Sequence, residues 1–383
     1  MTPNKKLKDY PIKDLDCCKI HGRTDPSQYP LPLFWTGSAV EVDVTGTELW
    51  IDIEVDYEVY EPWGSITING CLLSRQMLSA GRQKLCLFRG WSPDTVKNVL
   101  FTRETQAMSG DPSCHLLIYG FSSDGEFIPV ADKPYKLEFI GDSITTGEGT
   151  YGATQENDWV PAFMSISTNY ASMTAQKLHA DYRILSQSGW GVVSSWDNHP
   201  ECNMSDCYEQ ICGLCDGAVN QALGAQKPND FLAWQPDAII VNLGTNDCGA
   251  FDQPACTNPE TGEVFQEIKN ADGTYDAACI ARFEAAVVVF LKKLRKNNKK
   301  AKIVWVYGML GYDLTFPITN ALHTYRLETG DRNTYFLQPP MTVAETIGSR
   351  CHPGPKNHEI AAAMLSDYLK ALLLPDSVSL LSC

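Results

Sequence analysis

Three stretches of this chain share a design that few folds accommodate: a short apolar run that stops abruptly at a glycine-rich polar turn. In residues 135–152, YKLEFIGDSITTGEGTYG, the run from Leu137 to Ile140 ends at Gly141-Asp142-Ser143. Residues 183–192, RILSQSGWGV, and 236–247, PDAIIVNLGTND, do the same, ending at Gly189-Trp190-Gly191 and Gly244-Thr245-Asn246-Asp247. Runs of this length and β-branched content read as buried strands. Helical patterns are expected near 168–179, 207–224, 280–297 and 357–373, with further strands at 302–308 and 334–338. Such alternation predicts a parallel sheet with helices on both faces, an α/β architecture that places ligands at the carboxyl ends of its strands.

The region before it is different. Residues 29–130 hold short strand-like runs, among them Ala39–Val44, Leu49–Tyr60, Ser65–Ile68, Lys84–Arg89, Asn98–Thr102, His115–Ile118 and Phe127–Val130. Turn pairs such as Thr45-Gly46, Asn69-Gly70 and Asp124-Gly125 separate them, which predicts an all-β sandwich. Glu54, Asp56 and Glu58 alternate with Val55, Tyr57 and Val59, as in a strand with one wet face. The polar stretch Ala131-Asp132-Lys133-Pro134 marks the boundary. The expected domains are therefore 1–134, including a short N-terminal extension, and 135–383.

Composition narrows the possible partners. A net charge of −15 over 383 residues argues against a nucleic-acid surface, which needs clustered Lys and Arg. The longest apolar run, Ala285 to Leu291, is far short of the ~20 residues a spanning helix needs, so no membrane partner is expected. The first residues contain lysines but no apolar core of a signal peptide, and the fourteen cysteines include an adjacent pair, Cys17-Cys18, and a terminal Cys383. Both features fit reduced thiols and a cytoplasmic location. Cys202, Cys207, Cys212 and Cys215, with His199 upstream, lack the paired C-x₂-C spacing of structural zinc, so an exposed or half-buried thiol cluster on an insertion is expected and no metal.

With Gly348-Ser349-Arg350-Cys351-His352-Pro353 near the end, the strand-end turns present Ser, Gly, Asn and His in that order. Over residues 135 to 375 this pattern resembles the SGNH (GDSL-type) hydrolase superfamily, and with the β-rich region ahead of it the chain looks most like the second carbohydrate-esterase family. The resemblance implies a three-layer α/β/α sandwich preceded by a jelly-roll. It also implies removal of acetyl groups from plant hemicellulose (xylan or mannan) oligosaccharides through an acetyl-serine intermediate, without cofactor or metal.

By the same resemblance Ser143 is the nucleophile and His352 the base. The Ser143 and Gly191 amides and the Asn246 side chain form the oxyanion hole, with Gly189 as the alternative register. Trp190 and Asp142 are the candidate substrate-side residues, and Trp196, Trp159 and Tyr151 lie in the same loops. Asp142 and Asp247 also suit a buttressing role through hydrogen bonds, and His358 reads as structural.

The sequence departs from the pattern beside the histidine, where Arg350 and Ser349 occupy the places of the usual aspartate. Either a backbone carbonyl or a more distant acid such as Glu345 orients His352, or the site has lost activity. In the latter case the chain is a noncatalytic carbohydrate-binding protein.

Overall fold

The computed structural model describes residues 6–374, and Cys383 lies outside them. The chain forms two compact units. The first holds residues 6–132 together with Trp159–Ser167 and Cys207–Asn229, and the second holds Lys133–Asp158, Thr168–Asp206 and residues 230–374. The polar boundary marks the first crossing, but the chain returns to the first unit twice after it.

The first unit is built from two antiparallel sheets. One orders its strands Lys8–Pro11, His115–Ser123, Glu48–Asp56 and Gly81–Arg89, with Leu31–Pro32 also on His115–Ser123. The other runs Phe127–Ile128, Ala39–Val44, Lys97–Arg103, Trp63–Ile68 and Cys71–Met77, with Lys19–His21 on Ala39–Val44. Alternation decides which faces meet. Leu49, Ile51, Ile53 and Val55 point into a shared core with Val40, Val42, Val99, Phe101 and Ile118, while Trp50, Asp52 and Glu54 face outward.

The strand expected over Leu49–Tyr60 stops at Asp56. Beyond it the Asp111 carboxylate accepts the amides of Glu58, Val59 and Tyr60, and so takes the donors a ladder would need. Two later segments complete this unit. Buried Glu104 accepts hydrogen bonds from Ser165 Oγ and Ile166 N, and the Trp35 indole donates to Ile211 O. The helix expected near 207–224 is therefore not a single helix. It is a turn-rich segment holding the end of the short helix Met204–Cys207 and then Gly217–Ala222; of the four cysteines expected to be exposed or half-buried, Cys202 is half-buried, whereas Cys207, Cys212 and Cys215 are buried.

In the second unit five parallel strands run in the order Ala180–Ser186, Tyr135–Gly141, Ala238–Asn242, Lys302–Val306, Thr334–Leu337. Helices cover both faces of the sheet in a three-layer α/β/α arrangement. Tyr170–Lys177 packs with Pro355–Leu373, and Ala277–Asn297 packs with Thr315–Thr329. The long helix starts where the Asp276 carboxylate accepts the amides of Ala278 and Cys279, and it buries Phe283, Val287, Leu291 and Leu294. Thr315–Thr329, absent from the sequence reading, buries Ile318, Ala321, Leu322 and Tyr325 and ends at Gly330 with φ 72°. The first strand lies between the second and the third, so chain order reverses beside it. That reversal opens the crevice in which such sheets bind ligands.

Candidate active site

The first strand ends at Gly141, whose neighbours across the sheet are Ser186 and Asn242, so three strand ends open side by side. A Cβ on Gly141 would lie 2.0 Å from Thr145 Oγ1. Glycine therefore lets the short helix Ser143–Thr146 fold back tightly over the strand. Asp142 caps that helix by accepting the Ile144 amide at 3.0 Å. It is fully buried, its Oδ2 has no hydrogen-bond partner, and burial pushes its carboxyl up to about 7. Asp142 is thus a buttress, and without exposed surface it cannot contact a substrate.

Ser143 Oγ lies 2.9 Å from His352 Nε2. On the far side of the ring, Nδ1 is 2.8 Å from the backbone oxygen of Arg350, an acceptor that fixes the tautomer with Nδ1–H donating. Arg350 and Cys351 both adopt positive φ, 55° and 57°, which turns that carbonyl back toward the imidazole. The turn is fastened from several directions. Ser349 N donates to Gly149 O, Arg350 N to Glu156 O, and the Arg350 guanidinium to Asn157 O. A Cβ on Gly149 would meet Ser349 O at 2.4 Å and His352 Cβ at 2.5 Å, so this glycine permits close packing of nucleophile loop and histidine turn.

Glu345 is exposed and takes no part in the site. The acid beside the base is Glu148, which the sequence reading passed over. Its buried Oε1 accepts from Arg350 Nε at 2.7 Å and stands 3.9 Å from His352 Nε2. Burial acts to raise this carboxyl, but His352, the Ser188 hydroxyl and Arg350 more than offset it and hold the group below its ordinary range.

The other turns knit together beside the nucleophile. The Asn246 side chain donates to Trp190 O at 3.0 Å, and the Asp247 carboxylate accepts the amides of Val192 and Val193. Burial pushes Asp247 up to about 6, so it too buttresses a turn. Gly191 is not an oxyanion donor: its N–H is committed to Ser194 O at 2.9 Å, and its missing Cβ makes room for Asp247 Oδ2. Gly189, the other register, has φ 81° and lies against the ring of Trp196.

Trp190 is half-buried and Trp196 exposed. Trp159 packs edge-on against Tyr60 in the first unit, and Tyr151 accepts the Ser349 hydroxyl through its backbone oxygen. His358 is buried, accepts the Tyr170 amide, and is pushed down to about 3 by burial, as suits a structural residue.

A serine hydroxyl hydrogen-bonded to a histidine, at the switch point of a parallel sheet, is the arrangement of an SGNH-type hydrolase. Residues 139–335 match the GDSL-like Lipase/Acylhydrolase family. The chain belongs to that family, and the proteins it resembles include carbohydrate esterases. An acetyl xylan esterase structure from the rumen bacterium Butyrivibrio proteoclasticus superposes with a TM-score of 0.94 at 49% identity, covering 96% of this chain and 98% of that one.

Cellulase/esterase CelE of Acetivibrio thermocellus is 26% identical over 343 residues, 88% of this chain and 37% of CelE. An acetylxylan esterase / glucomannan deacetylase of Cellvibrio japonicus is 27% identical over 206 residues, 52% of this chain and 49% of its own length. The chain thus spans about half or less of the curated relatives it matches.

Proposed function

We propose that the protein is a serine carboxylic ester hydrolase that removes O-acetyl groups from hemicellulose oligosaccharides, of xylan or of mannan. The observation that carries this reading is the Ser143–His352 pair at 2.9 Å, with Nδ1 held by Arg350 O.

His352 Nε2 takes the Ser143 proton as Oγ bonds to the acetyl carbonyl carbon, and the carbonyl π pair moves to oxygen. The Ser143 and Gly189 amides and the Asn246 side chain receive that oxyanion. Each such donor is worth about 3–4 kcal/mol in the transition state. Collapse expels the sugar oxygen, which takes the proton from Nε2. Water then enters by the reverse sequence, giving acetate and free Ser143. Trp190, beside the second turn, supplies an apolar ring face on which a pyranose can stack. Arg350 no longer argues for a degenerate site, because its backbone supplies the acceptor that the missing aspartate would have provided.

The test is acetate release from acetylated xylo- and manno-oligosaccharides, with the lost acetyl located by NMR. Ser143→Ala and His352→Ala should each lower kcat by about 10⁴-fold or more while remaining folded. Binding of the oligosaccharides without release by the wild type would instead identify a carbohydrate-binding protein.

A further inference from the structure

We propose that Glu148 is a positioning residue of this reaction: it lies between Arg350 and His352 and stabilises the imidazolium formed when His352 takes the Ser143 proton. The inference rests on the serine-esterase reading and adds to it the source of negative charge that the sequence lacks beside the histidine. In the usual triad an acid at Nδ1 both orients the ring and stabilises its positive form. Here the two tasks are divided. The Arg350 carbonyl orients the ring from Nδ1 at 2.8 Å, but a carbonyl carries only a dipole. The charge comes from the other edge, where Glu148 Oε1 stands 3.9 Å from Nε2, the atom that receives the proton.

The surroundings make that charge both necessary and effective. The Arg350 guanidinium is fixed in the same corner, 2.7 Å from Glu148 Oε1, and an uncompensated cation there would oppose a second one on the imidazole. Glu148 is 3% exposed, so its field at the ring is weakly screened by water. It is also tied to the nucleophile, since its amide donates to Ser143 O at 3.0 Å, and a glycine lies on each side of it in sequence. Glu148 gains and loses no proton in the cycle. Its carboxylate is beyond hydrogen-bond reach of Nε2 and acts through space on the charge that appears there.

Glu148→Gln separates this role from bracing, because the amide oxygen can still accept from Arg350 Nε while the charge is gone. Two readouts are needed: steady-state hydrolysis of an aryl acetate, and the rate at which a fluorophosphonate labels Ser143, followed by mass spectrometry. The labelling reports nucleophile activation whatever the natural ester. The expected result is a fall in kcat and in labelling rate of about 10- to 100-fold, with KM and the thermal midpoint unchanged. Rates within about twofold of wild type would overturn the inference.

If Glu148→Gln also lowers the thermal midpoint, Glu148→Asp decides. Recovery of rate without recovery of midpoint supports the charge role, and recovery of midpoint alone refutes it. A wild type that neither hydrolyses aryl acetates nor is labelled at Ser143 would instead sink the esterase reading, and this inference with it.

Discussion

Arg350 stands where an acid is expected, and it is its backbone rather than its side chain that faces the imidazole. From the sequence Ser143 and Asn246 could be picked out because each follows an apolar run that stops at a turn, and His352 because it lies in a Pro- and Gly-rich segment just ahead of the last helix. A backbone carbonyl was one of the two ways of orienting His352 that the sequence left open, but which carbonyl was not legible, because one is present at every residue and only the positive φ of Arg350 and Cys351 aims this one. Glu148 and the choice between Gly189 and Gly191 were hidden for a related reason: both depend on which partners a side chain or amide has already taken.

Burial also determines a pH dependence at this scale. Asp142 titrates near 7 in the folded protein against ~3.9 unfolded, so the folded state holds the proton more tightly over that interval. The associated stability is fully present below about pH 4 and is lost progressively as pH rises from about 4 to about 7. Asp142→Asn keeps the oxygen that accepts the Ile144 amide and cannot ionise. Its thermal midpoint should therefore gain on wild type between pH 5 and pH 8, and parallel curves across that range would contradict the assignment.

At the scale of elements, periodicity located what was either amphipathic or wholly buried. The Ala39–Val44 strand and the Ala277–Asn297 helix fall within a few residues of their expected bounds. Cys71–Met77 was missed because it is a mostly exposed edge strand whose sequence, CLLSRQM, shows no alternation. The helix Thr315–Thr329 carried a readable signal in Ile318, Leu322 and Tyr325 followed by Gly330, and was overlooked behind Pro317, which is tolerated in a first turn.

The excursion after Asn246, open from sequence to either order or disorder, is held in part by the buried Asn198 side chain. Asn198 donates to Ala250 O and Pro254 O and accepts the Glu267 amide, at 3.0, 3.1 and 2.9 Å. It does so at φ 66°, where asparagine and glycine are tolerated best. Asn198→Gly preserves the backbone and removes only the side chain. We expect a loss of about 2–3 kcal/mol in urea unfolding. A change below about 0.5 kcal/mol would mean that the excursion is held by other contacts.

Considered as a whole, the molecule is less separable than its composition suggests. Trp35, Arg23 and Glu104 are all buried in the first unit, and each finds a hydrogen-bond partner in residues 159–229: Ile211 O, Gln210 O and Ile166 N. Sequence could not reveal this, since a turn-rich insertion looks the same whichever unit it completes. A fragment of residues 1–134 would leave an indole N–H, a guanidinium and a carboxylate without those partners in an apolar interior, at a cost of about 1–3 kcal/mol or more each. The fragment should lack a cooperative thermal transition and show broad amide resonances. Addition of peptides spanning 159–167 and 207–229 is the control that should move it toward order.

The path of the chain also sets an order of events during synthesis. Domains generally fold as units from the N-terminus as they leave the ribosome, at about 5–20 residues per second. The β unit contains most of the first 132 residues, yet it requires Cys207–Asn229 to close its interior. Its completion must wait for nearly a hundred further residues, so for several seconds of translation the β unit is exposed and unfinished, a period in which a holding chaperone would have its greatest effect on yield.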